Sequence, residues 1–547
     1  MTQTRRLLAL AATATVPLLV LGIFFVIPVG GMLREGFVQD GHLQLGGVVA
    51  VLGRPEIRRA VWFTLWSSAT GTVLACALGL PAAHVLHRLA IPGRIWVRAL
   101  LVVPFVLPTV VVGVAFELVI GRGGPLGRFG LDGSAVAIIA GLVFFNASVV
   151  IRVVGGAWES LDPRPAEAAA ALGASPWQVL RDVTLPALRP AVVSAATVVF
   201  LFCATAFGIV LTLGGLRYSS VETQIYLLTT DLLDLQAAAA LSVLQLVIVT
   251  GLLIAAARAR RTPDGTVERS QVRRRRPGPA DLPALVLTGV LVVLVALPLA
   301  SLVVGSLRVD GAWSLANNRA LQTPGSHQAL LVPVTTALVN SLRIAVDATW
   351  MSLLLGLSLA MIVTRRSRSR TERRLRAGLD GVFMLPLGVS AVTLGFGFLV
   401  ALGNPPLDLR DSPLLIPVAQ ALVALPLVVR ILVPVLTGID DRLRQAAATL
   451  GASPLRALAV VDLPVVWKPL LAAAGFAFAC SLGEFGATSF LVRDDRPTLP
   501  VVIYRLIGHP GDLNYGMALA ASVVLGATTA VVMLVVERLR IPSVGTL

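Results

Sequence analysis

The sequence holds few side chains that could carry bond chemistry, and their spacing limits what they could do. Its only lysine, Lys468, follows a tryptophan with no glycine-rich loop before it, so there is no G-x-x-x-x-G-K-[ST] phosphate cradle. The chain cannot hydrolyse ATP by that route. Its five histidines, His42, His84, His87, His327 and His509, are scattered and form no H-E-x-x-H or comparable set, which leaves an intramembrane enzyme without a catalytic constellation. His84 and His87 stand at i,i+3 on one helical face, a spacing open to a metal pair; equally, protonated imidazoles suit the C-terminal dipole of a helix. Cys76, Cys203 and Cys480 all lie inside apolar runs, which argues against disulfides or a zinc site. These residues point to no catalytic group, metal or cofactor.

Glu484 is the acid that most needs a reason, because a carboxylate inside an apolar span costs on the order of a few kcal/mol unless paired, hydrated or protonated. One reading is a cavity-facing residue on a translocation pathway, flanked by Ser481, Gly483 and Gly486. The other is a buried pair with Arg430 or Arg343 that holds the structure together. Asp347 is open to the same two readings.

The elements that must position these groups are membrane helices. With 56% hydrophobic residues, 14% charged and a mean hydropathy of +0.86, the chain has too little polar surface for water. The net charge of +16 could suggest nucleic acid, yet the arginines sit between apolar runs instead of forming one face. Twelve runs are long enough to cross a bilayer as helix, near 8–32, 60–86, 98–120, 134–155, 187–213, 236–257, 282–306, 337–363, 378–402, 413–437, 466–491 and 515–536. The first follows Arg5 and Arg6 as a secretory signal would, but its apolar stretch exceeds the length of such signals and is expected to be retained as a helix.

Loop charge alternates. Arg88, Arg94 and Arg98 follow the second run, Arg258, Arg260, Arg261, Arg269 and Arg273 to Arg276 the sixth, and Arg365, Arg366, Arg368, Arg370, Arg373, Arg374 and Arg376 the eighth. The opposite loops mix Arg217, Arg410, Arg493 and Arg496 with acids. Cytoplasmic loops retain arginine, so both termini are expected in the cytoplasm.

The segment AEAAAALGASPWQVLRDVTLPALRP from Ala166 recurs as RQAAATLGASPLRALAVVDLPVVWKP from Arg444, at an offset of 278 residues. Each copy lies in a half of six runs, and an even number makes the halves parallel. The expected architecture is therefore all-α and polytopic, with about twelve transmembrane helices in two six-helix repeats, residues 1–260 and 282–547, joined by a basic cytoplasmic linker, 261–281, that contains a TPDG turn. The repeated segment spells two short helices: Asp162 and Pro163 start the first and Gly173 ends it, Ser175-Pro176 starts the second, and Leu185-Pro186 marks the next span. Asp440 or Asp441, Gly451, Ser453-Pro454 and Leu463-Pro464 repeat the pattern. An alanine-walled helix is thin and smooth, suited to a groove on another protein. Alanine-rich hairpins can also simply pack against neighbouring loops, but recurrence at both sites favours docking.

These residues resemble the EAA loop of inner-membrane permeases of binding-protein-dependent ABC importers: E-A-A, three residues, G, and a later L-P. The resemblance covers both halves and implies a type I ABC importer permease fold. It also implies two separate ATPase subunits at the coupling loops, an extracytoplasmic substrate-binding protein docking on outer loops including 214–235 and 493–514, and residence in the bacterial plasma membrane. Carried over by residue, the coupling sites would be Glu167, Ala168, Ala169 and Gly173, and Gln445, Ala446, Ala447 and Gly451. Two loops in one chain, with SLGEFGATSFL from Ser481 and PTLPVVIYRLIG from Pro497, are similar to the fused iron(III) and thiamine permeases. An ion-coupled secondary transporter also uses twelve spans, but would be expected to carry several midplane ionisable groups.

Gln445 departs from the family glutamate and keeps hydrogen bonding while losing an ion pair. Glu167→Ala and Gln445→Ala should therefore depress ATP-driven transport unequally; equal losses would remove the asymmetry.

Overall fold

A computed structural model describes residues 14–39, 42–43, 45–105, 107–121, 123–215, 217–259, 275–365, 370–403 and 407–539. Arg5 and Arg6, residues 260–274, which hold most of the expected linker 261–281 with its TPDG turn, and Arg366 and Arg368 lie outside these residues.

Among the described residues, ten helices are long and apolar enough to cross a membrane: Ala14–Phe37, Pro55–Arg88, Ala135–Glu159, Pro176–Ala204, Leu235–Ile254, Pro279–Ser306, Val334–Thr364, Leu415–Thr437, Leu458–Leu482 and Asp512–Val536. Each satisfies its backbone internally, as a lipid environment demands. The third and ninth apolar runs, expected as single spans, are instead broken. In the third, Arg94–Val102 passes through a 3-10 turn, Val103–Phe105, and the next helix, Thr109–Ile120, lies at 110° to the first piece. Pro104 and Pro108 supply the break, since neither can donate a backbone hydrogen bond. The ninth divides into Arg370–Met384, a 3-10 turn Leu385–Gly388 containing Pro386, and the 12-residue helix Ala391–Leu402. Pro108 and Pro386 are related by the 278-residue offset, so the break is itself part of the repeat. A count of apolar residues does not register it.

The chain forms two compact units that interleave along the sequence, one of residues 53–224 and 247–317, the other including 1–52, 225–246 and 318–545. Helix Leu282–Ser306, the opening span of the second repeat, packs in the first of these units against Pro55–Arg88 and Thr109–Ile120. Conversely, Ile27–Phe37, from the opening span of the first repeat, packs against Ala391–Leu402 in the other. Small residues permit that approach: a methyl group added at Gly31 would meet Ala401 Cβ at 2.7 Å. The sequence repeats thus exchange their first helices.

An ion pair fixes the entry of Leu282–Ser306. Arg275 donates to both oxygens of Asp281 at 2.6 Å, Gly278 N–H adds a bond at 2.9 Å, and His84 Nε2 lies 3.1 Å from the same buried carboxylate. Backbone bonds from Ala90 N–H to Arg275 and from Arg275 N–H to Arg88 stitch the segment that enters this helix to the end of Pro55–Arg88.

Candidate functional site: two exposed hairpins and a buried acidic turn

The first hairpin opens with Arg164–Ala171, whose N-terminus is held by Asp162 Oδ1 accepting from Arg164 N–H at 3.0 Å. Gly173 ends it in the left-handed region, φ +89°, where a side chain would be strained. The N–H of Gly173 bonds the carbonyl of Ala170, and that of Ala174 the carbonyl of Ala169, closing a Schellman cap. The second hairpin repeats this: Asp440 caps Asp441–Thr449, Gly451 has φ +82°, and Gly451 and Ala452 donate to Ala448 and Ala447. No residue of either helix is buried. Glu167, Ala168, Gln445 and Ala446 are exposed, Ala169 and Ala447 half-buried, and a methyl group at either glycine would meet nothing.

The expected second helix of each hairpin is not a separate element. Ser175 begins it with a full capping box to Gln178, and the helix then runs without interruption from Pro176 to Ala204. Leu-Pro, read as the break before span five, is absorbed by a π-turn, Val179–Thr184, in which Leu185 N–H reaches back to Leu180. Widening the helix by one residue accommodates Pro186 without breaking the rod. The second half has the same device at Leu458–Asp462, with Leu463 N–H bonded to Leu458.

Sequence reasoning passed over Leu172 and Leu450, which are related by the repeat and are 90% and 87% exposed beside the two cap glycines. Trp177 is also exposed. The available signal was a leucine repeated next to a glycine that must turn the chain away from it.

Glu484 occupies the short break between Leu463–Leu482 and Thr488–Leu491. It is buried, and its carboxylate accepts from the N–H of Ala487 at 2.7 Å and of Thr488 at 3.0 Å, and from the Thr488 hydroxyl. Gln420 donates to Thr488 Oγ1 at 3.0 Å and accepts from the Ser481 hydroxyl. Its partners are therefore a turn and a polar chain; the arginine pairing considered for Arg430 or Arg343 is not formed among the described residues. Ser481 and Gly486 are buried with it, and Gly483 is half-buried. At the equivalent positions the first half has Leu142, Cys203, Ala206 and Val210, all buried and none able to reproduce the network. Asp347 accepts locally from the indole of Trp350 at 3.3 Å.

His84 and His87 have different partners, Asp281 at 3.1 Å and Glu159 at 2.8 Å. At the end of the second unit away from its hairpin, a cavity of ≈ 690 Å³ is bordered by Phe398, Phe490, Asp411, Arg493 and Asp495. Arg493 pairs there with Asp411 and, at 3.1 Å, with Asp495.

The class these features define is an almost wholly helical, polytopic membrane protein built from a repeated unit, with an exposed hairpin in each copy. The chain belongs to the binding-protein-dependent transport system inner membrane component family, whose pattern matches residues 75–262 and 352–540. It is 28% identical to the thiamine transport system permease protein ThiP of Escherichia coli strain K12, over 84% of this chain and 85% of that one. The ThiP of Brucella abortus strain 2308 is 25% identical, over 88% of this chain and 87% of that one. The ferric transport system permease protein FbpB of Actinobacillus pleuropneumoniae is 26% identical over 96% and 78%. The chain is thus the fused, two-half permease of an ABC importer, a multi-pass protein of the inner membrane.

Replacing Glu484 by leucine leaves two buried backbone N–H groups unpaired, at about 1–3 kcal/mol each. Glu484→Leu should lower the melting temperature of the purified protein by several degrees, and Glu484→Gln by less. Loss of transport at an unchanged melting temperature in both variants would instead mark the carboxylate as a substrate ligand.

Proposed function

We propose that this permease imports thiamine or ferric iron, received from an extracytoplasmic binding protein and driven by two copies of a separate ATPase. One copy docks at Glu167, Ala168, Ala169 and Gly173, the other at Gln445, Ala446, Ala447 and Gly451. In this reading the halves 1–260 and 282–547 are joined by a cytoplasmic linker, 261–281, and both termini are cytoplasmic. The substrate class is drawn from the thiamine and ferric permeases to which the chain is similar.

The observation that carries the reading is the pair of unpacked helices ending in Leu172 and Leu450. Apolar side chains held this far from their own protein, in a repeated position, are suited to a partner's groove. In each unit the arginine-bearing loop ends also lie at the hairpin's end of the bundle: Arg88 reaches the carbonyl of Trp158, and Arg365 reaches Asp462. That distribution supports a cytoplasmic hairpin face. The acid-base loops around Arg493 lie at the other end, where the binding protein would dock. The Ser481, Gly483, Glu484 and Gly486 segment contributes to the pathway wall through the shape of its turn.

Proteoliposomes containing the permease should take up labelled thiamine or ferric iron only when binding protein, ATPase and ATP are all present. Leu172→Asp combined with Leu450→Asp should abolish ATPase co-purification and uptake together. Uptake driven by an ion gradient without the ATPase would establish a secondary transporter.

A further inference from the structure

The two hairpins are joined to their bundles differently. In the second, Arg444 lies one position before Gln445 and donates through Nη1 to Asp441 and through Nε to Oδ1 of Asp462, both at 2.7 Å. The other oxygen of Asp462 accepts from Arg365 Nη2 at 3.2 Å. Arg365 immediately follows helix Val334–Thr364. Asp462 closes the π-turn that leads into Leu463–Leu482, and only 3% of its side chain is exposed. One buried carboxylate thus links the hairpin helix, the helix that the hairpin continues into, and the end of a third.

The first half lacks the acid. Asp462, Arg444 and Asp441 correspond to Thr184, Ala166 and Pro163. Its arginine is retained: Gly79 faces Val150 as Gly356 faces Val428, and this registers the two long helices so that Arg88 stands opposite Arg365. With no carboxylate at Thr184, Arg88 donates through Nη2 to the carbonyl of Trp158 at 3.0 Å, and its Nε is buried without a hydrogen-bond partner.

We propose that Asp462 is a positioning residue of the second coupling site. It fixes helix Asp441–Thr449 on the bundle and ties it to the span ending at Thr364, so that displacement of this hairpin moves two spans. The first hairpin acts through the span it continues into. The tether supplies at the second site a rigidity that complements the missing glutamate at Gln445. This inference rests on the hairpins being ATPase docking sites.

The test uses the complete complex of permease, ATPase and binding protein in proteoliposomes. It reads ATPase co-purification and, separately, substrate imported per ATP hydrolysed. Asp462→Asn should leave the ATPase associated and lower import per ATP about fivefold. Asp462→Glu, which keeps the charge, should restore most of it. Arg444→Gln breaks the same tether from the partly exposed side and serves if Asp462→Asn fails to fold; it should show the same loss. Wild-type import per ATP in Arg444→Gln overturns the proposal. If the Leu172 and Leu450 variants retain the ATPase, the docking reading beneath it fails instead, whatever the Asp462 variants do.

Discussion

The structure depends on helical continuity between each hairpin and a membrane span. Pro176–Ala204 is one rod whose first turns stand clear of the bundle and whose remainder is embedded in it. A proline at residue 186 would ordinarily remove a backbone bond and loosen that rod. The π-turn preserves it by shifting the bond of the preceding leucine back one residue, and the second half does the same. The exposed end and the embedded part are therefore one helix with no hinge at the leucine-proline step. The Schellman caps at Gly173 and Gly451 serve the same end, because they fix the angle between the short exposed helix and the rod.

Duplication has kept this mechanical part and let the surroundings diverge. The second half contains a buried polar chain, Ser481, Gln420, Thr488 and Glu484, that organises the break after Leu463–Leu482. The first half has apolar residues at all four places. Buried polar networks are tolerable when every member is satisfied and costly when partly made, so such a group is gained or lost as a unit. The charged tether at Asp462 is distributed in the same one-sided way. Two halves of one chain need not stay alike, and here each departure from symmetry is traceable to a few side chains.

Much of this was legible in the sequence. Apolar run length, the 278-residue repeat and the glycine and proline punctuation of the hairpins reported helices, a duplication and caps, because each rests on local chemistry. The breaks at Pro108 and Pro386 were missed since hydropathy averages over them, and the continuity through Pro186 was missed since proline is usually a stop signal. Glu484 was singled out as needing a reason, but its partners are backbone groups three and four residues away and the Thr488 hydroxyl, which in turn accepts from Gln420, and residue type alone does not disclose these. Leu172 and Leu450 carry no sequence signal beyond repetition; only their exposure distinguishes them.

The central claim, that both hairpins project from the cytoplasmic face as the surface on which the motor acts, is tested most directly by thiol accessibility. Single cysteines at Leu172 and Leu450, in a chain with Cys76, Cys203 and Cys480 replaced, should react with a membrane-impermeant maleimide in inverted vesicles stripped of ATPase. They should be inert in intact cells and become protected when the ATPase is added back. Labelling of either position in intact cells, or labelling in vesicles that the ATPase does not diminish, would contradict the account.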